Sequence, residues 1–316
     1  MTTEAFGTCL LCGSGPGDVL LEVPYEAVWE RFEADWGVVI SSAVRDRAAP
    51  VAVSTLVRCP DCGLERFEPV APGDPDFYGA LMTATPYAED RWDFVATRRQ
   101  IHPADDVVDF GSGEGRFLSS LGSRPGRTTG VDHNRDAVER FVQRGGEAYA
   151  CSFSEFAAGE AERFDVVTSF HTLEHLGDPI AMVRSAARCL RRGGRLFLSV
   201  PNRERTWRDE GEPMDRPPHH VTRWGPEQLR RLAEICDLQL MDITFEPPGL
   251  RQADAQARAS AEARLRWWPR PVRVSVGGVQ GALAVGRAWR DHRTGGDTFA
   301  RKQIYGHTML AVLQRA

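Results

Sequence analysis

The chain predicts an α/β fold in which helices alternate with the strands of a mostly parallel sheet, and three stretches predict it. From Val107 to Leu118, V-V-D-F-G-S-G-E-G-R-F-L, an apolar strand runs into a turn with glycine at 111, 113 and 115, and a helix begins near Arg116. The apolar run Thr129-Gly130-Val131-Asp132 then ends on a carboxylate 19 residues after Gly113. A further apolar strand, Phe164 to Phe170, continues the same β-α alternation.

These stretches describe a nucleoside pocket. Glycine carries no Cβ and tolerates φ > 0, so Gly111 and Gly113 let the backbone approach a ligand closely. Asp132 stands where a carboxylate takes the two hydroxyls of a ribose. A dinucleotide site has G-x-G-x-x-G, whereas the spacing here is G-x-G-x-G, with Asp109 at the strand end and Glu114 in the turn. Two carboxylates repel a pyrophosphate and suit a cation. S-adenosylmethionine supplies one, in its sulfonium and its amino group.

D-F-G-S-G-E-G, G-V-D, F-D-V-V-T-S-F-H-T-L-E-H-L-G-D-P and C-L-R-R-G-G-R-L-F-L-S-V-P-N follow in this order over Val107 to Asn202. Together they resemble the core of a class I S-adenosylmethionine-dependent methyltransferase. The L-E-H-L after the fourth strand is similar to the branch with ubiquinone-type O-methyltransferases and enzymes of natural-product and glycan gene clusters. The resemblance implies a Rossmann-like seven-stranded sheet, mostly parallel, whose last strand is antiparallel. It implies that Asp109, Gly111, Ser112, Gly113 and the neighbouring backbone hold the methionine part of the cofactor, Asp132 its ribose, and that Phe170 and His171 border it. Aromatic residues ahead of such a core often lie over cofactor or substrate; of Tyr78, Tyr87 and Trp92, Tyr87 is preferred because Pro86 before it marks a loop. Where the family carries an acidic residue for the adenine amino group, this chain has Cys151-Ser152-Phe153, which leaves that contact to the Ser152 hydroxyl or to backbone.

The strands expected along the sheet are Asp106 to Phe110, Thr128 to Asp132, Glu147 to Cys151, Phe164 to Phe170, Arg195 to Val200, Leu238 to Phe245 and Gly306 to Arg315. Helices are expected over 135–144, over 178–191 with Gly193-Gly194 ending it, and over 226–236. The chain divides accordingly into an N-terminal region (1–72), a linker and covering helix (73–100), the core (101–246), an insertion (247–305) and a last core strand (306–316).

Ahead of the core, Cys9-Leu10-Leu11-Cys12 and Cys59-Pro60-Asp61-Cys62 are each followed by glycine. Two such knuckles have the form of a four-thiolate structural Zn²⁺ site. The 46 residues between Cys12 and Cys59 exceed a compact ribbon, so a subdomain is inserted between the knuckles. Glu22, Glu26, Glu30, Glu33 and Asp35 make the region acidic, which phosphates resist. A small zinc ribbon that helps shape the substrate site is therefore preferred to an RNA grip, and the arrangement resembles sugar C-methyltransferases and glycan methyltransferases.

Open α/β sheets bind ligands at the carboxyl ends of their strands. His171-Thr172-Leu173-Glu174-His175 follows the fourth strand there, which makes His171, Glu174 and His175 the best-placed titratable group. H-x-x-E-H has the look of a metal motif, yet a metal needs a further ligand and open geometry, so acid/base work or structural hydrogen bonding ranks first. A second histidine group stands in M-D-R-P-P-H-H-V-T-R-W, where Pro217 and Pro218 stiffen the backbone before His219 and His220. Paired histidines on such a loop suit a general base. The N-P-P-Y-like sequence of adenine-methylating relatives is lacking, which disfavours nucleobase amino groups as acceptors.

A net charge of −5 gives no support to a nucleic-acid partner. The insertion alone is basic, with 11 arginine or lysine residues against four acids and Trp267, Trp268 and Trp289 among them. It reads as a solvated lid or a dimer surface, with peripheral contact to anionic membranes as the alternative. The start has no basic and apolar leader, and no apolar run reaches about 18 residues, so a cytoplasmic location is expected, with the seven cysteines as thiols. The expected function is methyl transfer from S-adenosylmethionine to a hydroxyl of a small-molecule acceptor, a natural product or a sugar, with His175, His219 or His220 as base. C-methylation of a ketosugar, RNA methylation and a non-catalytic binding module stay open, as does the oligomeric state.

Overall fold

The computed structural model describes residues 7–82, 91–123, 126–205, 212–247 and 307–316. Mixed apolar and acidic stretches open the chain as β1 (Asp18–Pro24), α1 (Tyr25–Trp36), α2 (Ser42–Ala48), β2 (Val53–Arg58), β3 (Glu65–Glu68) and α3 (Pro75–Met82). The alternating half follows as α4 (Trp92–Arg98), β4 (Val107–Phe110), α5 (Arg116–Ser120), β5 (Thr128–Asp132), α6 (Arg135–Gln143), β6 (Ala148–Ala150), α7 (Phe153–Gly159), β7 (Phe164–Phe170), α8 (Pro179–Cys189) and β8 (Leu190–Pro201). It ends with β9 (Thr222–Arg223), α9 (Pro226–Ile235), β10 (Leu238–Phe245) and β11 (Thr308–Arg315).

Among the described residues the large sheet has seven strands in the order β10-β11-β8-β7-β4-β5-β6. Its central pairs β4–β5, β4–β7, β5–β6 and β7–β8 are parallel, and the sheet is mixed toward its end, with the last strand antiparallel. The central strands are buried on both faces, as continuous runs such as Val107, Val108 and Phe110 require. Val107, Val166, Phe197 and Leu310 form the core with Phe94, Phe117 and Phe170. The chain leaves β4 toward β5 on one side and later returns beside it as β7 on the other, so strand order switches between β4 and β7. The carboxyl ends of these two strands therefore border the crevice in which such sheets bind ligands.

Several expected boundaries shift by one or two residues, and the one after Asp178 shifts further. The helix after Asp178 stops at Cys189, and Leu190 is already strand, paired with Phe164. Gly193, at φ 76, turns an extended chain rather than ending a helix. Burial of Leu190 outweighs the helix-ending reading of the glycine pair.

The inserted subdomain between the knuckles is β1, α1, α2 and β2. Tyr25, Trp29 and Phe32 of α1 pack with Phe77 of α3, the ring centroids of Phe32 and Phe77 being 5.9 Å apart. The N-terminal sheet runs β1-β2-β3-β9, so its fourth strand, Thr222–Arg223, comes from the other half of the chain, with Glu65 opposite Arg223. Glu246 N–H donates to Thr308 O at 2.8 Å. The basic insertion, with Trp267, Trp268 and Trp289, lies outside the described residues. Among the described residues no helix is long and apolar enough to cross a membrane.

Candidate functional site

The turn after β4 takes its shape from glycine. A Cβ on Gly111, where φ is 81, would lie 2.2 Å from Thr172 Oγ1, so the turn presses against the segment after β7. Gly113, at φ 51, has nothing within 4 Å of where its Cβ would be, which leaves that side open to a ligand. The Gly113 N–H donates to Asp132 Oδ2 at 2.7 Å, and the Asn134 N–H donates to Oδ1 at 2.8 Å. Both oxygens keep a lone pair for a ligand hydroxyl. Ser112 is buried in the same turn, its Oγ without a hydrogen-bond partner among the described residues.

Asp109 is buried at the end of β4 and accepts a bond from Thr168 Oγ1 at 2.7 Å. Burial pushes its carboxyl up to about 7, and the charges of Asp132 and Asp93 add to that against the Thr168 bond and Arg91. An open glycine face beside a buried carboxyl group and a hydroxyl-accepting carboxylate fits a cationic nucleoside such as S-adenosylmethionine. Glu114, expected beside the ligand, turns instead to Arg140 at 2.9 Å and Arg144 at 3.4 Å. Those arginines lie on and just after α6, beyond the reach of a reading of the turn alone.

The Ser152 hydroxyl caps α7: it accepts from Glu155 N–H at 3.2 Å and donates to Glu155 Oε2 at 2.6 Å. Phe170 turns its ring into the core against Phe94 and Phe117, at 4.7 and 4.6 Å, so its backbone is what borders the crevice. Tyr87 lies outside the described residues.

His171 follows β7 in the left-handed region, φ 50, a conformation that costs a residue with a Cβ on the order of 1 kcal/mol and marks a constrained position. Its ring is one-fifth exposed between two carboxylates, with Nε2 3.7 Å from Asp93 Oδ2 and Nδ1 3.3 Å from Glu174 Oε1. Asp93, at the start of α4, is buried, pairs with Arg91 at 2.6 Å and accepts from Ser199 Oγ at 2.7 Å. Burial alone would raise its pKa, but Arg91 and then His171 outweigh it and hold the carboxyl below the usual range. Sequence reasoning missed Asp93; its signal was an acid among the apolar residues of R-W-D-F-V.

The loop before β9 brings His219 and His220 to His175, with ring centroids 4.4 to 4.9 Å apart. Tyr78 of α3 reaches the same group, its hydroxyl 3.1 Å from His175 Nδ1. His175 Nδ1 meets His219 O, His219 Nδ1 meets Met214 O at 2.7 Å, and His220 Nδ1 is 3.3 Å from Asp215 Oδ1. Burial drives His175 down to about 4 and His219 well below the ordinary imidazole value, so both rings are neutral. Glu174 is buried beside them, its two oxygens without an aligned hydrogen bond among the described residues. Burial would raise its pKa, yet the imidazoles of His171, His175 and His220 hold it at about 2.

The four knuckle cysteines converge. Cys9 Sγ lies 3.5 Å from Cys62 Sγ and Cys12 Sγ 3.5 Å from Cys59 Sγ. Gly13 N–H donates to Cys9 O and Gly63 N–H to Cys59 O, both at 2.9 Å, with positive φ at each glycine. Sulfurs on one tetrahedral Zn²⁺ stand about 3.8 Å apart, so this group can hold that ion. Gln228 Nε2 bonds Cys62 O at 2.7 Å and Arg203 Nη1 bonds Gly63 O at 2.9 Å, which fastens the second knuckle to the other half of the chain.

Comparison with known proteins bears on this arrangement. A family model described as a methyltransferase domain matches residues 83–242. A ubiquinone biosynthesis O-methyltransferase of Coxiella burnetii is 28% identical over 152 residues, 44% of this chain and 65% of the relative. One from Xanthomonas oryzae pv. oryzae is 34% identical over 119 residues, 36% of this chain and 49% of the relative. The chain thus spans less than two-thirds of the length of these curated relatives. Among solved structures, a SAM dependent methyltransferase from Archaeoglobus fulgidus aligns at 14% identity with a TM-score of 0.45, covering 77% of this chain and 95% of the other.

Proposed function

We propose, because the chain belongs to the methyltransferase-domain family, that it transfers a methyl group from S-adenosylmethionine to a hydroxyl of a small molecule, a natural product or a sugar, with a histidine taking the proton. The observation that carries this reading is the Gly113–Asp132 bond at the crevice between β4 and β7, beside an open glycine face. Asp132 would take the ribose hydroxyls; Asp109 and the backbone of Gly111, Ser112 and Gly113 would take the methionine part. S-adenosylmethionine, when bound, supplies a methyl group on a sulfonium with a thioether as leaving group. What is left to the chain is to align the acceptor, keep water out and receive a proton.

His171 supports the base role best among the histidines at the sheet edge. It is reachable from the crevice, and the carboxylates of Asp93 and Glu174 on either side stabilise the imidazolium as it forms. Half-buried His175 and buried His219, expected as bases, are neutral but weakly basic, because their surroundings disfavour the imidazolium. With His220 and Tyr78 they frame the space for the acceptor. The four cysteines hold a structural zinc that ties the two knuckles together.

One observation favours a second reading. Tyr78 comes from the cysteine-bearing half and joins the histidine group, as a polar pocket for C-methylation of a ketosugar would require. The test is transfer of labelled methyl from S-adenosylmethionine to hydroxylated aromatics, sugars and nucleotide-linked ketosugars. Label on acceptor oxygen supports the proposal and label on carbon the second reading. Transfer to RNA alone, or to no acceptor by protein that binds the cofactor, overturns both.

A further inference from the structure

We propose that His175, His219 and His220 form a binding site for one divalent first-row transition-metal ion, separate from the four cysteines. One ligand atom from each of the three residues falls within 4.8 Å of the others. Three imidazole nitrogens on one ion stand about 3.3 Å apart, so small ring movements close the set.

The hydrogen bonds fix which nitrogen is offered. His219 O, Met214 O and the Asp215 carboxylate can only accept, so the facing Nδ1 of His175, His219 and His220 each carries the hydrogen. Every Nε2 then keeps its lone pair. A carbonyl or carboxylate behind a ring is the usual support of a metal-bound histidine, because it sets the tautomer and the ring orientation. Two of the three supports come from the loop itself, residues 214–215, and the third from His219, so the loop builds most of the site.

Glu174 is the second, independent observation. Its carboxylate is 1% exposed, and neither oxygen has an aligned hydrogen bond among the described residues. Oε1 lies 3.9 Å from His220 Nε2. A buried carboxylate whose oxygens have no aligned hydrogen bond, set beside three imidazole rings, calls for a cation among them. Imidazole suits zinc, cobalt, nickel, iron and copper more than magnesium or calcium. The Glu174-His175 pair lacked further ligands in the sequence, and the loop provides them from more than 40 residues away.

Co²⁺ titration of the metal-stripped, reduced full-length chain tests the site. Two classes of binding are expected. One gives intense thiolate-to-cobalt charge-transfer absorption, from the cysteines; the other gives weak visible d–d bands without charge transfer, from the histidines. The double variant His219→Gln, His220→Gln should lose the second class and keep the first, which also reports that the chain is folded. Glu174→Gln should keep the second class with at least tenfold weaker affinity. A wild-type chain with only the thiolate class overturns the proposal, as does a second class that survives in the double variant. Neither readout depends on catalysis or on S-adenosylmethionine.

Discussion

The Gly113 N–H donates to Asp132 Oδ2 across 2.7 Å, which joins the turn after β4 to the end of β5. The bond holds φ at 51 for Gly113 and leaves its other side open. Gly113→Ala puts a methyl group into that open space and strains the backbone by about 1 kcal/mol. Affinity for S-adenosylhomocysteine should fall at least about tenfold, more than the strain alone explains, while the melting temperature drops by only about 2–4 °C. Calorimetric titration and thermal denaturation of the same sample separate the two effects.

Asp109 gives the ligand-free chain a distinctive pH dependence. Its folded pKa, about 7, lies above the unfolded value of 3.8. Between these values the folded state keeps a proton that the unfolded chain has released, so stability falls as pH rises from about 4 to 7 and this contribution then levels off. The loss is at most about 4 kcal/mol. Asp109→Asn should remove that part of the slope in urea denaturation at pH 5, 6 and 8. A ligand ammonium beside the carboxylate would draw off the proton, so S-adenosylhomocysteine should bind wild type more tightly at pH 8 than at pH 6.

Replacing His171 with alanine removes the proposed base while Asp132 and the glycine turn stay in place. Turnover should fall by about 10²- to 10⁴-fold, with affinity for S-adenosylhomocysteine within about threefold of wild type. Asp93→Asn, which leaves the ring and weakens its support, should cost turnover less. Steady-state kinetics on an identified acceptor, paired with calorimetric titration, reads both quantities.

Cys59→Ser breaks the four-thiolate group. Zinc content should fall by about one equivalent, and the melting temperature by at least about 5 °C, since a structural zinc contributes folding free energy directly. Metal analysis and thermal denaturation check the two outcomes on one preparation.

Features written in short segments were legible in the sequence. Val107 to Leu118 folds as strand, glycine turn and helix because strand burial and glycine conformation act locally. Asp132 and the two cysteine knuckles were found by spacing, which nearby chain geometry dictates. Ser152-Phe153-Ser154-Glu155 also carried a readable capping box, which identifies the hydroxyl as a helix cap and went unused. What escaped depends on partners far along the chain. Asp93 gains its surroundings from Ser199, 106 residues away, and Glu114 from Arg140 and Arg144. Thr222–Arg223 is too short for any periodicity, so its place as the fourth strand of the N-terminal sheet becomes visible only opposite Glu65. The histidine loop was recognised for its composition, but its meeting with His175 and Tyr78 is a product of the tertiary fold.

The most direct test of the central claim is calorimetric titration of zinc-loaded protein with S-adenosylhomocysteine, side by side with Asp132→Ala. The account predicts saturable binding with one site per chain, weakened at least about 100-fold by the substitution, since a charged partner of the ribose and the support of the Gly113 N–H are lost together. Absence of binding to folded wild-type protein, or equal binding by the variant, would contradict it.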